Sequence, residues 1–483
     1  MVNEKIRTFR DAAETLIDME VRLRLLDGYS LISKIWERIR FRVFKIILIK
    51  LDLDDLAHIK YKPENKIFRV FKKLISCFYY FFVGNPFFSF RKPEYLFISN
   101  QRRKINSRGL FDDIYTDPLV ELMRAGNPMC IEAKYDGKHL RPSRTESLFF
   151  FDFIETIINI RKKFCKVIID NKDLSKINII EREIMNLFNI NISLRELFGS
   201  EIRLRECSLG IYCALLKHLK PRIIFLVCSY DKENLIEAAK SIGIKTVEIQ
   251  HGVLNRYHLG YSFPNGLKKV SFPDYFLGFG KFWLECTEFP IPKVRQLVLG
   301  FPYLSESLKS IVVNKQKKIL IISQDNVGNK IEGFTRKIIA EYGEKYKVTF
   351  KLHPAQYLIW KNSYPDIYEL HNKGLLEVVD SDMPSLYQLQ AESEFQIGVN
   401  STALFEGMAL MCKTVILKIS GYEYMQSLID NNYVLLYDLE DELDLSRVPV
   451  VNIDPEYFFS MSYEDNFKKN LEVIEDDNDE KIS

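Results

Sequence analysis

Several kinds of centre are ruled out by what the chain does not contain. It has 8 cysteines and 7 histidines, but no CxxC pair and no His/Cys pair at ligand spacing. A zinc or iron–sulfur site therefore has no ligand set in the sequence, and the cysteines, Cys207, Cys213 and Cys228 among them, read as reduced core thiols of a cytosolic protein. Walker A, HExxH and GxSxG patterns are absent, and the glycines of LGFG stop short of a full GxGxxG, which argues against nicotinamide binding. Strong charge of one sign is missing too: the net charge of +3 is too mild to imply nucleic acid. The nearest approach to a membrane span, Leu74–Val83 (LISCFYYFFV), is ten residues long, where a hydrocarbon core needs about 20. The opening MVNEKIRTFRDAAETLIDME is charged and amphipathic, unlike a secretory signal, so the expected location is the cytoplasm.

What is present describes a globular protein of several domains. The 483 residues are 47% apolar and 28% charged, which sets a prior of two to four domains. Residues 1–92 carry helical periodicity, with Arg38, Arg40, Arg42, Lys45 and Lys50 spaced through RIRFRVFKIILIK. FRVFKK precedes Leu74–Val83 and NPFFSFRK follows it, so that segment fits either a helix lying in a membrane surface or a buried core helix. From residue 93 short apolar runs alternate with helical stretches. EYLFIS, PMCIEA, PRIIFLVCS, KTVEIQHG, DYFLGFG and RQLVLGFP read as strands, and KENLIEAAKSIG as the helix of a βαβ unit. In TDPLVELMRAG, Asp117 is expected to N-cap a helix that has Pro118 in its first turn. A second α/β series starts at Lys317. The expectation is α/β: a helical N-terminal region (1–92), two Rossmann-like domains (93–303 and 304–455) facing a cleft, and a solvated acidic tail (456–483).

Three strand ends are chemically loaded. Gln250-His251-Gly252 closes one, Lys351-Leu352-His353-Pro354 another, and in IGVNSTALFEGMAL a strand ends at Gly398 before Asn400-Ser401-Thr402 open a helix. Such ends line the ligand cleft of parallel sheets. A helix starting on Ser-Thr offers free N–H groups, hydroxyls and a positive dipole end to a phosphate. Glu406, one turn on, could hold a ribose; an ordinary N-cap beside an ordinary surface glutamate fits the same letters.

Together these motifs resemble those of GT-B enzymes that build bacterial surface polysaccharides: the CDP-glycerol glycerophosphotransferases and, more loosely, polysialyltransferases and capsule Kdo transferases. The matching positions are His251-Gly252, His353-Pro354 and Ser401-Thr402, in that order, and the likeness covers roughly Tyr95 to Leu436. The glycerophosphotransferases usually show Trp-His-Gly and Asp-Tyr-Ser-Ser where this chain has Gln250 and Val399-Asn400-Ser401-Thr402. The resemblance implies a metal-independent glycosyltransferase that needs no cofactor and moves a sugar from a nucleotide sugar to a growing capsule, O-antigen or other glycan, on a free or lipid-linked acceptor. It makes His251 the general base, puts His353, Ser401, Thr402 and Asn400 on the donor phosphate, and puts Glu406 on the ribose. A CDP-alditol phosphotransferase, a nucleotide-sugar epimerase and a non-catalytic scaffold are the alternatives, and a peripheral contact of the N-terminal region with the inner membrane face goes with a lipid-linked acceptor.

On the acceptor side the candidates are Arg102, Arg103, Arg108, Asp112, Asp113, Gln250 and His258. For the arginines a solvated basic loop is the plainer account. Asp380-Ser381-Asp382 matches a metal-holding DxD, but its place before Pro384 and a helix favours capping.

Overall fold

The computed structural model describes residues 6–28, 30–53, 78–100, 103–106, 108–135, 137–264, 266–324, 328–451 and 454–477. Arg102 and the first part of Leu74–Val83 lie outside them. Two parallel sheets carry the molecule. The first runs, edge to edge, Leu148–Phe150, Met129–Glu132, Tyr95–Ile98, Ile223–Val227, Lys245–Ile249, Tyr275–Gly278 and Gln296–Val298. In the second the order is Glu377–Val379, Lys347–Lys351, Gln316–Ile322, Ser393–Gly398, Lys413–Leu417 and Leu435–Tyr437. Every neighbouring pair in both is parallel. Strands covered by helices on both faces must be apolar throughout, which is why Ile223–Val227 is buried at every position. The fold is thus α/β with two Rossmann-like domains, GT-B-like, preceded by helices.

Those first helices, Phe9–Arg22 and Leu31–Lys50, are built into the molecule. Phe9, Leu16, Trp36, Phe44 and Ile47 share one core with Ile180, Phe198, Tyr257 and Phe263. The arginines read from sequence as a basic stripe turn inward. Arg40 is fully buried, paired with Glu20 and donating to the carbonyls of Leu259 and Ser262 at 2.9 and 2.8 Å. Arg38 meets Asn234, Glu201 and Glu237, and Arg42 meets Glu201. A charge costs too much to bury alone, so each is matched.

Other expectations are corrected. The acidic terminus is not a solvated tail: Tyr463–Asp476 is a helix whose Tyr463, Phe467, Asn470 and Ile474 are buried. It lies against the first domain, where Phe467 meets Phe225 at 5.5 Å and Asn470 donates to the Val298 carbonyl at 2.9 Å. Asp117 does not cap its helix; it is the first helical residue after Thr116 and binds the Asp113 N–H and the Thr145 hydroxyl. Asp380 and Asp382 do not cap theirs either. Ser385 does that, while Asp380 accepts from the Trp360 indole and Asp382 from the Tyr357 hydroxyl. The polar loop after the first strand contains a hairpin, Arg103–Ile105 with Phe111–Asp113, and Leu148–Phe150, not among the strands read from sequence, forms the edge of the first sheet.

Candidate functional site

His251 sits two residues past the end of Lys245–Ile249, where that strand leaves the sheet. Its neighbour Gln250 is buried and fixes the exit: the side chain accepts from the Phe279 N–H and donates to the Gly252 carbonyl, both at 2.8 Å. The Tyr115 hydroxyl holds the His251 carbonyl at 2.7 Å. The imidazole lies between two tyrosines, with Nδ1 at 3.3 Å from Tyr261 Oη and Nε2 at 3.4 Å from Tyr230 Oη. Tyr261 gives its own proton to Glu248, whose Oε1 also takes the Ser229 N–H. The Tyr261 oxygen is then left to accept from Nδ1–H, which makes Nε2 the basic nitrogen of the neutral ring.

His251 also lines a cavity of about 580 Å³ whose wall includes Asn100, Tyr135, Glu155, Tyr212, Tyr230 and Lys232. It lies at the carboxyl ends of the first-domain strands, beneath the helices Asp152–Phe164 and Leu194–Leu219. Burial first, then the charge of Asp152, holds the Glu155 carboxyl above its ordinary range.

In the second domain two strand ends come together. His353 follows Lys347–Lys351 and caps a short turn, its Nδ1 accepting the Ala355 N–H at 3.3 Å. That bond places the proton of a neutral ring on Nε2, so Nε2–H is a donor. The His353 N–H is held by Gln356, Gln356 by the Gln324 carbonyl at 3.0 Å, and Gln324 by Asn400 at 2.8 Å. Asn400 also reaches the Gly421 carbonyl at 2.9 Å, so it works as a strut between loops. Ser401 caps the helix Thr402–Ala409 through the Ala403 N–H at 3.2 Å. Glu406 is buried on that helix next to Tyr387, whose hydroxyl burial and Glu406 push well up.

One approach between the two sides involves these strand ends: a methyl group placed on Gly252 would lie 3.9 Å from the Thr402 hydroxyl. Gly252, the residue after His251, therefore lies close to the first residue of the helix Thr402–Ala409.

No family model matches the chain, and no curated protein matches it. Solved structures similar to it include UDP-GlcNAc 2-epimerase from Methanocaldococcus jannaschii, at 10% identity and TM-score 0.45 over 78% of this chain and 99% of that one. The lipopolysaccharide outer core galactosyltransferase WaaB is 12% identical, TM-score 0.43, over 79% and 99%. The calicheamicin glycosyltransferase CalG4 is 10% identical, TM-score 0.42, over 80% and 98%. These likenesses are slight, and the two-sheet architecture stands on the strand pairing itself.

The remaining acceptor-side residues are placed elsewhere. The Arg103 side chain is buried between Glu132 at 2.7 Å and Asp117 at 3.5 Å. Asp113 is buried and accepts from Asn100, Tyr115 and Thr116 within its own loop. Asp112 is tied to Asn106 and Arg144, and Arg108 is exposed. His258 is stacked on Phe41 at 4.8 Å, and burial together with the charge of His251 pushes its pKa down to about 3, so it stays neutral. Among the described residues no three His, Cys, Asp or Glu side chains are grouped to hold a metal ion. Sequence reading missed Tyr230, Tyr261 and Glu248 around His251, and Tyr135, Glu155 and Tyr212 in the cavity. Only the nearness of Tyr261 to His251 in the chain hinted at any of them.

Proposed function

We propose that the chain is a glycosyltransferase that moves a sugar from a nucleotide-activated donor to the hydroxyl of a glycan acceptor. The observation that carries this reading is the approach of Gly252 to Thr402, which sets the His251 strand end against the N-terminus of Thr402–Ala409. His251 Nε2 takes the acceptor proton. The acceptor oxygen then bonds to the anomeric carbon, the bond from that carbon to the nucleotide phosphate breaks, and its electron pair stays on the phosphate. His353 Nε2–H, the Ser401 and Thr402 hydroxyls and the helix N-terminus stabilise that charge. Glu406 takes the ribose once Tyr387 yields it. The cavity beside His251 supports a two-substrate transfer over epimerisation, which needs no room for a second molecule.

A thermal-shift panel of UDP, CDP, CMP and GDP tests the reading. At about a hundred times its dissociation constant, the right nucleotide adds about 2.7 kcal/mol to native stability. CDP alone would point to an alditol phosphotransferase, and a product formed from donor with no acceptor to an epimerase. His251→Gln should keep the shift and lose turnover by about a hundredfold or more. A folded protein that no nucleotide stabilises would sink the proposal and leave a scaffold.

A further inference from the structure

Two polar groups in the wall of the cavity beside His251 have no use in the fold. Glu155 lines it from the helix Asp152–Phe164, and Leu204, Ser208 and Tyr212 line it from Leu194–Leu219 at i, i+4 and i+8, one face of that helix. Glu155 is open to solvent, yet enough of the protein surrounds it that burial holds its carboxyl above the ordinary range. A carboxyl with both properties stands in the wall of a hollow. Among the described residues nothing donates a hydrogen bond to it and no cation pairs with it. The Tyr212 hydroxyl has no hydrogen-bond partner there either; burial first, then the charge of Glu155, pushes its pKa up to about 12. Keeping an unpaired carboxylate and an unpaired hydroxyl in a hollow costs stability, and the donors of a ligand would satisfy both.

Among the described residues the other charged groups of the wall are Asp231 and Lys232, adjacent and opposite in sign, which leaves Glu155 to set its charge. The cations whose charge reaches Glu155, Lys134 and His139, are both bound to Asp152. Arg103, expected from sequence on the acceptor side, is spent on Glu132 and Asp117. Rings make up much of the remaining wall. Tyr135, Phe151 and Tyr230 line it with Tyr212, and Phe151 meets Tyr212 edge to face at 6.5 Å. Flat rings pack against the C–H face of a sugar, and a carboxylate accepts from its hydroxyl or amino groups. The volume of about 580 Å³ falls in the usual range of small-molecule sites.

We propose that Glu155, together with the Tyr212 hydroxyl, selects the acceptor: the sugar held in this cavity is neutral or amino-bearing, and an acidic sugar is turned away. The Glu155 carboxylate accepts from the hydroxyls or the ammonium group of such a sugar, whereas a uronate sets a second anion beside it. The inference rests on the transferase reading, since that reading makes the molecule beside His251 an acceptor. Sugar binding measured without nucleotide tests the selection and the nucleotide panel tests the transfer, so the two fail separately.

Ligand-observed NMR titration of the full chain with glucose, glucosamine and glucuronate, and with galactose, galactosamine and galacturonate, covers two ring configurations and three charges. In at least one series the wild type should bind the neutral and amino sugars about tenfold or more tighter than the uronate. Glu155→Gln keeps the shape and removes the charge. It should bring the uronate within about threefold of the neutral sugar and weaken the amino sugar. Tyr212→Phe should weaken all three and leave their order. Because nothing in the fold is bonded to the Glu155 carboxylate, Glu155→Gln should not lower the melting temperature. A uronate bound as tightly as the neutral sugar, a charge preference that survives Glu155→Gln, wild-type affinities in Tyr212→Phe, or no binding by any of the six sugars overturns the proposal. So does a fall in the melting temperature of Glu155→Gln, because the carboxylate would then serve the fold.

Discussion

At the scale of single residues, each chemical role is set by what the other nitrogen of an imidazole is doing. His251 and His353 are both strand-end histidines, yet Nε2 is a base in one and a donor in the other. The difference lies in Tyr261 Oη accepting at the first and the Ala355 N–H donating at the second. His139 is a third case, held between Glu132 at 2.7 Å and Asp152 at 2.8 Å with Lys134, Arg141 and Arg103 on the same carboxylates. Burial alone would lower its pKa, but the hydrogen bonds to Asp152 and Glu132 outweigh burial and leave it raised. A raised folded pKa favours the protonated native state. The stabilisation is complete below the unfolded value of about 6.5 and is lost as pH rises through the folded one. The urea midpoint should therefore fall between mildly acidic and alkaline pH, and His139→Asn should flatten that fall. Equal slopes for the two proteins would show that His139 does not contribute. His251 was legible because a β-branched run stops on His-Gly. His139 was not, since its partners are on a strand and a helix that only the fold brings together.

Among elements, the second N-terminal helix does the positioning. Leu31–Lys50 delivers Arg40 to the carbonyls of Leu259 and Ser262, and Glu37 to the N–H groups of Val270 and Ser271 at 2.8 and 3.0 Å. These bonds fix both flanks of the loop that follows His251. Glu20 neutralises Arg40 and accepts from the Trp36 indole at 2.7 Å. Replacing Glu20 by Ala leaves Arg40 charged, buried and unpaired, a change that costs about 3–5 kcal/mol. Urea unfolding of Glu20→Ala should show that loss, and catalysis should suffer through the loop. A loss below about 1 kcal/mol would mean that water or another group takes over the pairing. The helical periodicity of this region was plain from sequence, as were nearly all strands of both sheets, because continuous apolar runs between turn residues have few other uses. The inward aim of the arginines was hidden. Letters record a charge, while its partner sits in another element, as Glu201 and Glu237 do for Arg38.

For the molecule as a whole, the chain crosses between the domains twice. It passes out of the first sheet at Gln296–Val298 into the second, then returns at 454–477 to cover the first again. The return requires glycines. A side chain on Gly280 would strike the Tyr457 and Phe458 carbonyls, and one on Gly300, at φ +105°, the Ser460 carbonyl. Phe225, Leu277, Leu404, Ile416, Phe458, Phe467 and Ile474 accordingly belong to one buried cluster drawn from both domains and the terminal helix. Two domains joined by a thin linker would melt in separate steps. A shared core predicts one calorimetric transition for the whole chain. Phe467, 1% exposed and with its ring tilted against that of Phe225, tests the coupling. Phe467→Ala should cost about 3–5 kcal/mol and lower that single transition without splitting it. A variant in which the first domain melts early while the second keeps its wild-type temperature would show that the terminal helix stabilises one domain only. The return crossing would then be a local patch on the first sheet, with no part in holding the cleft.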